Sequence, residues 1–312
     1  VNRVQLKKIA PRIVYIAGWG RSGTTLVGGT LESTAEAVYI GELWNLWEDY
    51  DTPNEHCSCG KPYRECDFWK RIVRACEIND DDISRLKSIK ARRLGTRSLM
   101  WGTRRLAKSK DDVELTYYKE MTARVYEEVA ELTGHYSIVD ASKTPNLIYL
   151  MSYLCPRVLH IVRDPRAVAY SWWFRPKSTT NQTNAGIMAR HNPARSTIGW
   201  IGRNTAIERA KTRSGAEILT LTYEDFVGSY DNAISSIWEF TGLAPRSSAT
   251  PVSHSIRGNP SRFAPDGLKI SADHEWADQM PVWMSLLVTA MAGPLMLKYG
   301  YLKGHVQSGS EQ

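Results

Sequence analysis

The chain predicts an α/β fold: a mostly parallel central sheet flanked by helices, with a long helical insertion. Three observations lead there. Apolar runs at Arg12 to Ala17, Tyr136 to Asp140, Val158 to Val162 and Glu217 to Thr222 are each followed by helical patterning, the mark of β-α units. A glycine-rich turn follows the first run directly, between Gly18 and Gly23. Thr144-Pro145 and Asp164-Pro165 each set a capping residue before a proline, whose fixed φ and missing N–H suit the first helical position. With 312 residues, 42% of them hydrophobic and 23% charged, the chain can bury a large core. One domain is expected over residues 1–312, with core segments at 12–42 and 136–302, the insertion at 43–135 and a flexible tail at 303–312.

In chain order, the first strand feeds the loop Gly18-Trp-Gly-Arg-Ser-Gly-Thr-Thr25. It keeps both glycines of a G-x-x-x-x-G-K-[ST] nucleotide loop, at Gly18 and Gly23, but Thr24 stands where the lysine for the β/γ-phosphates would be. A nucleoside triphosphate therefore suits it poorly. A turn whose N–H groups run on into a helix N-terminus near Gly23 still suits one phosphate-like dianion. Gly20, Arg21, Ser22, Gly23, Thr24 and Thr25 form that cradle, which makes the fold P-loop in type. A short run at Ala37 to Ile40 adds a strand, with Glu42 just beyond it.

Leu43 to Thr133 reads as the mainly helical insertion. Within it, Arg85 to Lys110 holds ten Lys/Arg and no Asp/Glu, more than the whole chain's net charge of +7. The segment is either a solvated helical face or a docking surface, for an anionic acceptor or for a membrane holding a lipid acceptor. Nucleic acid is not an expected partner, because aromatic interleaving is limited to Trp101. His56-Cys57-Ser-Cys59 and Cys66 offer zinc ligands or a local disulfide. Cys-x-Cys with one distant cysteine lacks the paired spacing of structural zinc sites, so an ordinary loop is the preferred reading.

Beyond the insertion, Asp140-Ala-Ser-Lys143 places a lysine between a strand and a helix. Arg163 leaves the next strand, and Ser171 lies two turns into the helix started by Asp164-Pro165. His160, inside an apolar strand, reads as a core histidine with its polar atoms satisfied. Lys177 to Gly186, rich in Ser, Thr and Asn, reads as a mobile lid. Glu42, Lys143, Arg163 and Tyr223 all follow strand ends, the edge where such sheets bind ligands. Val282 to Leu297 reads as a helix broken at Gly293-Pro294 and short for a bilayer. Five cysteines, and no apolar signal segment in Val1 to Ala10, favour a cytoplasmic protein over a secreted disulfide framework.

Two of these segments carry a family resemblance. Arg21-Ser-Gly-Thr-Thr-Leu26 resembles the 5′-phosphosulfate loop of sulfotransferases that use 3′-phosphoadenosine 5′-phosphosulfate (PAPS). Val158-Leu-His-Ile-Val-Arg163-Asp-Pro-Arg-Ala-Val-Ala-Tyr-Ser171 is similar to that family's 3′-phosphate motif, in which an arginine and a serine grip the 3′-phosphate. The resemblance implies PAPS as donor, 3′-phosphoadenosine 5′-phosphate (PAP) as product, a hydroxyl or amine as acceptor, and no metal. It implies that Arg21 and Lys143 neutralise the leaving phosphate and the moving sulfuryl group. The histidine base of many cytosolic members, in a Lys-Thr-His-type motif, is missing, since Thr144 and Pro145 follow Lys143. Glu42 resembles instead the catalytic glutamate of tyrosylprotein sulfotransferases and many bacterial relatives. Tyr223, in Leu219-Thr-Leu-Thr-Tyr-Glu-Asp, resembles the tyrosine that meets the adenine. Gly258-Asn-Pro-Ser-Arg262 resembles a late loop closing over the 3′-phosphate, with Arg257 a weaker candidate for the same role and His254 as a supporting residue. The competing readings are a P-loop kinase, disfavoured by the missing lysine, and a non-catalytic basic module that binds membranes or anionic polymers.

Overall fold

The computed structural model describes residues 10–53, 55–95, 112–152, 154, 157–175, 190–246, 254–258 and 273–302. Strand β1 (Arg12–Gly18) leads into α1 (Thr24–Thr34) and β2 (Val38–Gly41). A 3₁₀ turn (Leu43–Asn45), α2 (Leu46–Tyr50), α3 (Asp67–Ala75), α4 (Asp80–Arg93) and α5 (Val113–Thr133) make up the described insertion. Then come β3 (Ser137–Lys143), α6 (Pro145–Leu150), β4 (Arg157–Val162), α7 (Pro165–Phe174), α8 (Pro193–Arg213) and β5 (Glu217–Thr222). The chain continues through α9 (Tyr223–Gly228), α10 (Tyr230–Thr241), α11 (Glu275–Gln279) and α12 (Val282–Lys298).

Among the described residues the sheet has the order β2-β3-β1-β4-β5, and every pairing is parallel. The α/β architecture is the expected one. Its strands read as continuous apolar runs because both faces are covered. Along β1, Ile13, Tyr15 and Ala17 pack into one core with the insertion and α6. Val14 and Ile16, pointing the other way, pack with α1, α9 and α10. All strands point the same way, so their carboxyl ends and the residues just after them share one edge.

Two local expectations need correction. Asp164 caps α7 as expected, accepting from Arg166 N at 2.8 Å. Thr144 holds the N-cap position of α6, but its side chain makes no capping bond; its carbonyl accepts from the Tyr15 hydroxyl at 2.8 Å instead. The C-terminal helix is not broken at Gly293-Pro294 and runs through to Lys298. Interior proline costs about 3 kcal/mol. Met284, Val288, Ala292 and Met296 recur every fourth residue on both sides of it and are buried. Burying Met284, Val288 and Met296 is worth about 1.5–3 kcal/mol each, which outweighs that cost. No described helix is long and apolar enough to cross a membrane.

The described part of the basic segment is a partnered helical face. Arg85 stacks on Tyr117 at 4.0 Å, Lys90 pairs with Glu48, and Arg92 and Arg93 pair with Glu114 and Asp112. Its continuation over 96–110, the 177–186 segment, Arg262 and the 303–312 tail lie outside the described residues.

Candidate active site

The first strand ends in the loop Gly18 to Thr25. Ser22 N donates to Trp19 O at 3.3 Å, and α1 begins at Thr24 with Gly23 as its N-cap. Gly23 has φ 87°, and a Cβ there would lie 2.4 Å from the Tyr223 ring, so glycine is required twice over. Gly20 faces the Trp172 indole. The first turn of α1, including the buried Thr24 and Thr25, presents N–H groups that a helix leaves without internal partners. Arg21 adopts φ 69°, a left-handed conformation uncommon outside glycine. Its Nη2 donates to Arg175 O at 2.7 Å, and its guanidinium stands 5.4 Å from the Trp172 ring centre. Ser22 Oγ and Arg21 Nε are buried and have no hydrogen-bond partner among the described residues.

Arg163, just past β4, closes on the same loop. Its Nη1 donates to Arg21 O at 3.1 Å, and its guanidinium lies 4.5 Å from the Tyr223 ring. Arg163 Nε is likewise buried and unpartnered among the described residues. The other end of the guanidinium pairs with Asp273 at 2.8 Å, and Asp273 also pairs with Arg175 at 3.2 Å. Ser171 is buried on α7, between Arg163 and Arg175 in sequence. Burial first, and then repulsion from Arg163 and Arg175, push Arg21 down to about 10. Arg175 also pairs with Glu275, so three guanidinium groups, Arg21, Arg163 and Arg175, stand against two carboxylates, Asp273 and Glu275.

A second group lies at the neighbouring strand ends. Asp140, fully buried in β3, accepts from Tyr126 Oη at 2.6 Å and from Ser142 N at 2.7 Å. Burial pushes its carboxyl up to about 6 despite those bonds. The pairing of β3 with β1 shifts register here, and Lys143, opposite Ala17, takes φ 66°. Such an irregularity re-aims a side chain at a strand end. Lys143 Nζ pairs with Glu42 Oε1, both side chains being largely buried. Glu42 Oε2 accepts from Asn45 Nδ2 at 2.9 Å. Ser142 Oγ accepts from Trp44 N at 2.9 Å, which ties the turn after Glu42 to β3.

The fold thus brings Arg21, Arg163 and Tyr223 into contact and sets the Glu42–Lys143 pair beside them on the sheet's carboxyl edge. Arg257 is engaged by the insertion: its guanidinium is held by the buried Asp49, with Nε 2.6 Å from Oδ2. His160 is a core residue, bonded through Nε2 to Asn204 Oδ1 at 2.8 Å. Sequence reading missed Arg175, Asp273, Trp172 and Arg203. Arg175 had a signal, since it ends the helix that begins after Asp164. Asp273 had none, because only the tertiary fold brings it to Arg163. Arg203, on α8, has its pKa lowered by burial and lies 5.6 Å from the Trp19 ring centre. A cavity of about 470 Å³ opens among β2, α3 and the end of α5; His254 lines it, but Arg21, Arg163, Ser171 and Tyr223 do not.

A model described as "Sulfotransferase family" matches residues 11–246. No curated protein matches the chain. Among solved structures, the sulfotransferase domain from the curacin biosynthetic pathway is 16% identical, with 91% of this chain and 97% of that one covered and a TM-score of 0.49. The sulfotransferase STF9 from Mycobacterium avium is 12% identical, with 94% of this chain and 78% of that one covered and a TM-score of 0.46.

Proposed function

Because the chain belongs to the sulfotransferase family, whose model spans residues 11–246, we propose that it transfers a sulfuryl group from PAPS to an acceptor hydroxyl or amine, with Glu42 as base. One observation carries this reading. The Glu42–Lys143 ion pair stands at the strand ends next to an anion loop, with Lys143 paired across the sheet to Ala17, the residue before that loop.

The residues present fit such a donor. Arg21 Nε, Ser22 Oγ and Arg163 Nε are buried without hydrogen-bond partners among the described residues, an arrangement that is costly unless a group with acceptor oxygens satisfies it. When bound, PAPS supplies an activated sulfuryl group on a phosphate leaving group. Gly20 to Thr25 would hold the 5′ end, with Arg21 offsetting the charge that builds on the leaving oxygen. Arg163 and Ser171 would hold the 3′-phosphate, and Tyr223, already against Arg163, would meet the adenine. Lys143, freed from Glu42 Oε1, would offer its ammonium to the moving group. Glu42 Oε1 then accepts the acceptor's proton, while Asn45 keeps Oε2 fixed.

Titration calorimetry with PAP and with ATP tests the reading. PAP should bind more tightly, and Arg163→Ala should weaken PAP by about tenfold or more, the scale of a charge-assisted hydrogen bond. Tighter binding of ATP, insensitive to Arg163→Ala, would reject the donor assignment in favour of a kinase. If neither nucleotide binds, a non-catalytic module replaces both.

A further inference from the structure

The fold gathers four metal-binding side chains that are scattered in sequence. Cys57 and Cys59 lie on the loop between α2 and α3, Cys66 is the N-cap of α3, and His254 comes 197 residues after Cys57. Their ligand atoms all lie within 4.8 Å of one another. His254 Nδ1 is 3.6 Å from Cys57 Sγ and 3.4 Å from Cys66 Sγ, and Cys59 Sγ is 3.6 Å from Cys66 Sγ. Tetrahedral zinc, with bonds of about 2.3 Å to sulfur and about 2.05 Å to nitrogen, needs edges of about 3.8 Å (S···S) and about 3.5 Å (S···N). These three edges lie within about 0.2 Å of those values, and the whole set is compact enough to close on one ion.

We propose that Cys57, Cys59, Cys66 and His254 hold one structural Zn²⁺ ion. Three soft sulfurs and one imidazole select zinc over magnesium or calcium. Four protein ligands leave no open position, so the ion builds structure and performs no hydrolysis. Each cysteine binds as thiolate and gives its proton to solvent, while the imidazole binds neutral through Nδ1. The surroundings suit such a centre. Backbone N–H groups of Cys59, Lys61 and Trp69 donate to the sulfurs of Cys57, Cys59 and Cys66 respectively. Phe68 stacks flat on the His254 ring at 4.6 Å, and Trp69 Nε1 donates to His254 O at 2.8 Å. Such outer contacts orient ligands and are part of a metal site's construction. A disulfide is the competing use of the sulfurs, but all three cysteines are free thiols.

The site has a consequence for the sheet edge. His254 begins the strip Ser255-Ile256-Arg257, which pairs with the end of β2: Ile256 N donates to Ile40 O at 2.9 Å, and Glu42 N donates to Ile256 O at 2.7 Å. At Gly41, with φ 74°, the Ile256 carbonyl leaves no room for a Cβ. Ser58 and Ser255 exchange two further bonds. Zinc would therefore staple the insertion to the strip that holds the backbone of Glu42. This positioning role rests on the assignment of Glu42 as base; the metal site itself does not.

The test uses the full chain, purified without a metal-binding tag from zinc-supplemented culture. Elemental analysis should find about one zinc per chain, as a structural site that is coupled to folding retains its metal. The metal-depleted protein, titrated with Co²⁺, should develop a thiolate-to-cobalt charge-transfer band. Cys59→Ser should lower zinc retention at least tenfold, and zinc removal should speed amide exchange at Ile256 and Glu42. Less than about a tenth of an equivalent of zinc, together with no cobalt band in the wild-type chain, would overturn the proposal. So would full zinc retention in a folded Cys59→Ser/Cys66→Ser protein. Metal content and the cobalt spectrum read out independently of sulfotransfer, so failure of either assignment leaves the other standing.

Discussion

Arg21 and Lys143, the two cations proposed to act on the sulfuryl group, are among the described non-glycine residues with positive φ, at 69° and 66°. Such conformations cost on the order of 1–3 kcal/mol each and persist where the surroundings over-determine them. Here the loop after β1 and the irregular end of β3 do so. If Glu42 is the base, Glu42→Gln should leave PAP affinity unchanged in calorimetry and cut turnover about a hundredfold or more, the usual scale for proton removal. Near-normal turnover would reassign Glu42 as a structural partner of Lys143. Two fully buried residues of the sheet make a pH prediction. Asp140 is pushed up to about 6 by burial, so the folded state holds its proton more tightly, and this contribution to stability is lost as pH rises from about 4 to 6. His160 is pushed down to about 4 by burial, so its contribution is lost in the opposite sense, as pH falls from about 6.5 to 4. Each is worth on the order of 3 kcal/mol, and the two nearly cancel. Denaturation between pH 4 and 7 should show Asp140→Asn steepening the acid loss of stability and His160→Gln flattening it. Parallel pH profiles for wild type and both variants would contradict the burial argument.

Helix α1 depends on Gly23 for its start, because the αL conformation and the Tyr223 ring both exclude a side chain. Gly23→Ala should lower stability by about 1–3 kcal/mol and displace Tyr223 from Arg163, weakening PAP at least tenfold. A folded Gly23→Ala protein with unchanged PAP affinity would show that the loop and Tyr223 act separately. At this scale the sequence was informative where causes are local. The strands were legible as unbroken apolar runs because both faces of the sheet are covered. The start of α7 was legible from Asp164-Pro165, and the loop from its glycines. Pro294 misled because the buried face of α12 overrides a local helix-breaking preference. The pairing of Arg257 with Asp49 was not legible because Asp49 belongs to the insertion. The Cys57, Cys59 and Cys66 spacing looked incomplete because the fourth ligand, His254, arrives only through the pairing of Ile256 with β2. Lateral strand order and the acidic partner Asp273 were illegible for the same reason: they are properties of tertiary contact.

Across the whole molecule, the proposed donor site joins parts of the chain that are distant in sequence. The loop after β1, the ends of β3, β4 and β5, and helix α7 all contribute, and Asp273 reaches in from just before α11. A ligand bound there stabilises the assembly as a unit, by about 2.7 kcal/mol at a hundredfold excess over its dissociation constant. Asp273 makes the balance specific. Its carboxylate pairs with both Arg163 and Arg175 in the free protein, doing for those guanidinium groups what a 3′-phosphate would do. If it is a placeholder, binding PAP requires it to withdraw. Asp273→Ala should then lower the melting temperature of the free chain, because Arg21, Arg163 and Arg175 lose a counter-charge. The same variant should bind PAP several-fold more tightly, with a steeper loss of affinity as salt is raised, because Glu275, paired with Arg175, is then the carboxylate left beside the ligand to offset the cluster. Thermal melts with and without PAP, at low and high ionic strength, measure both effects together. Weaker PAP binding in Asp273→Ala would instead make Asp273 a support that aims Arg163 at the phosphate, and the competition argument would fall.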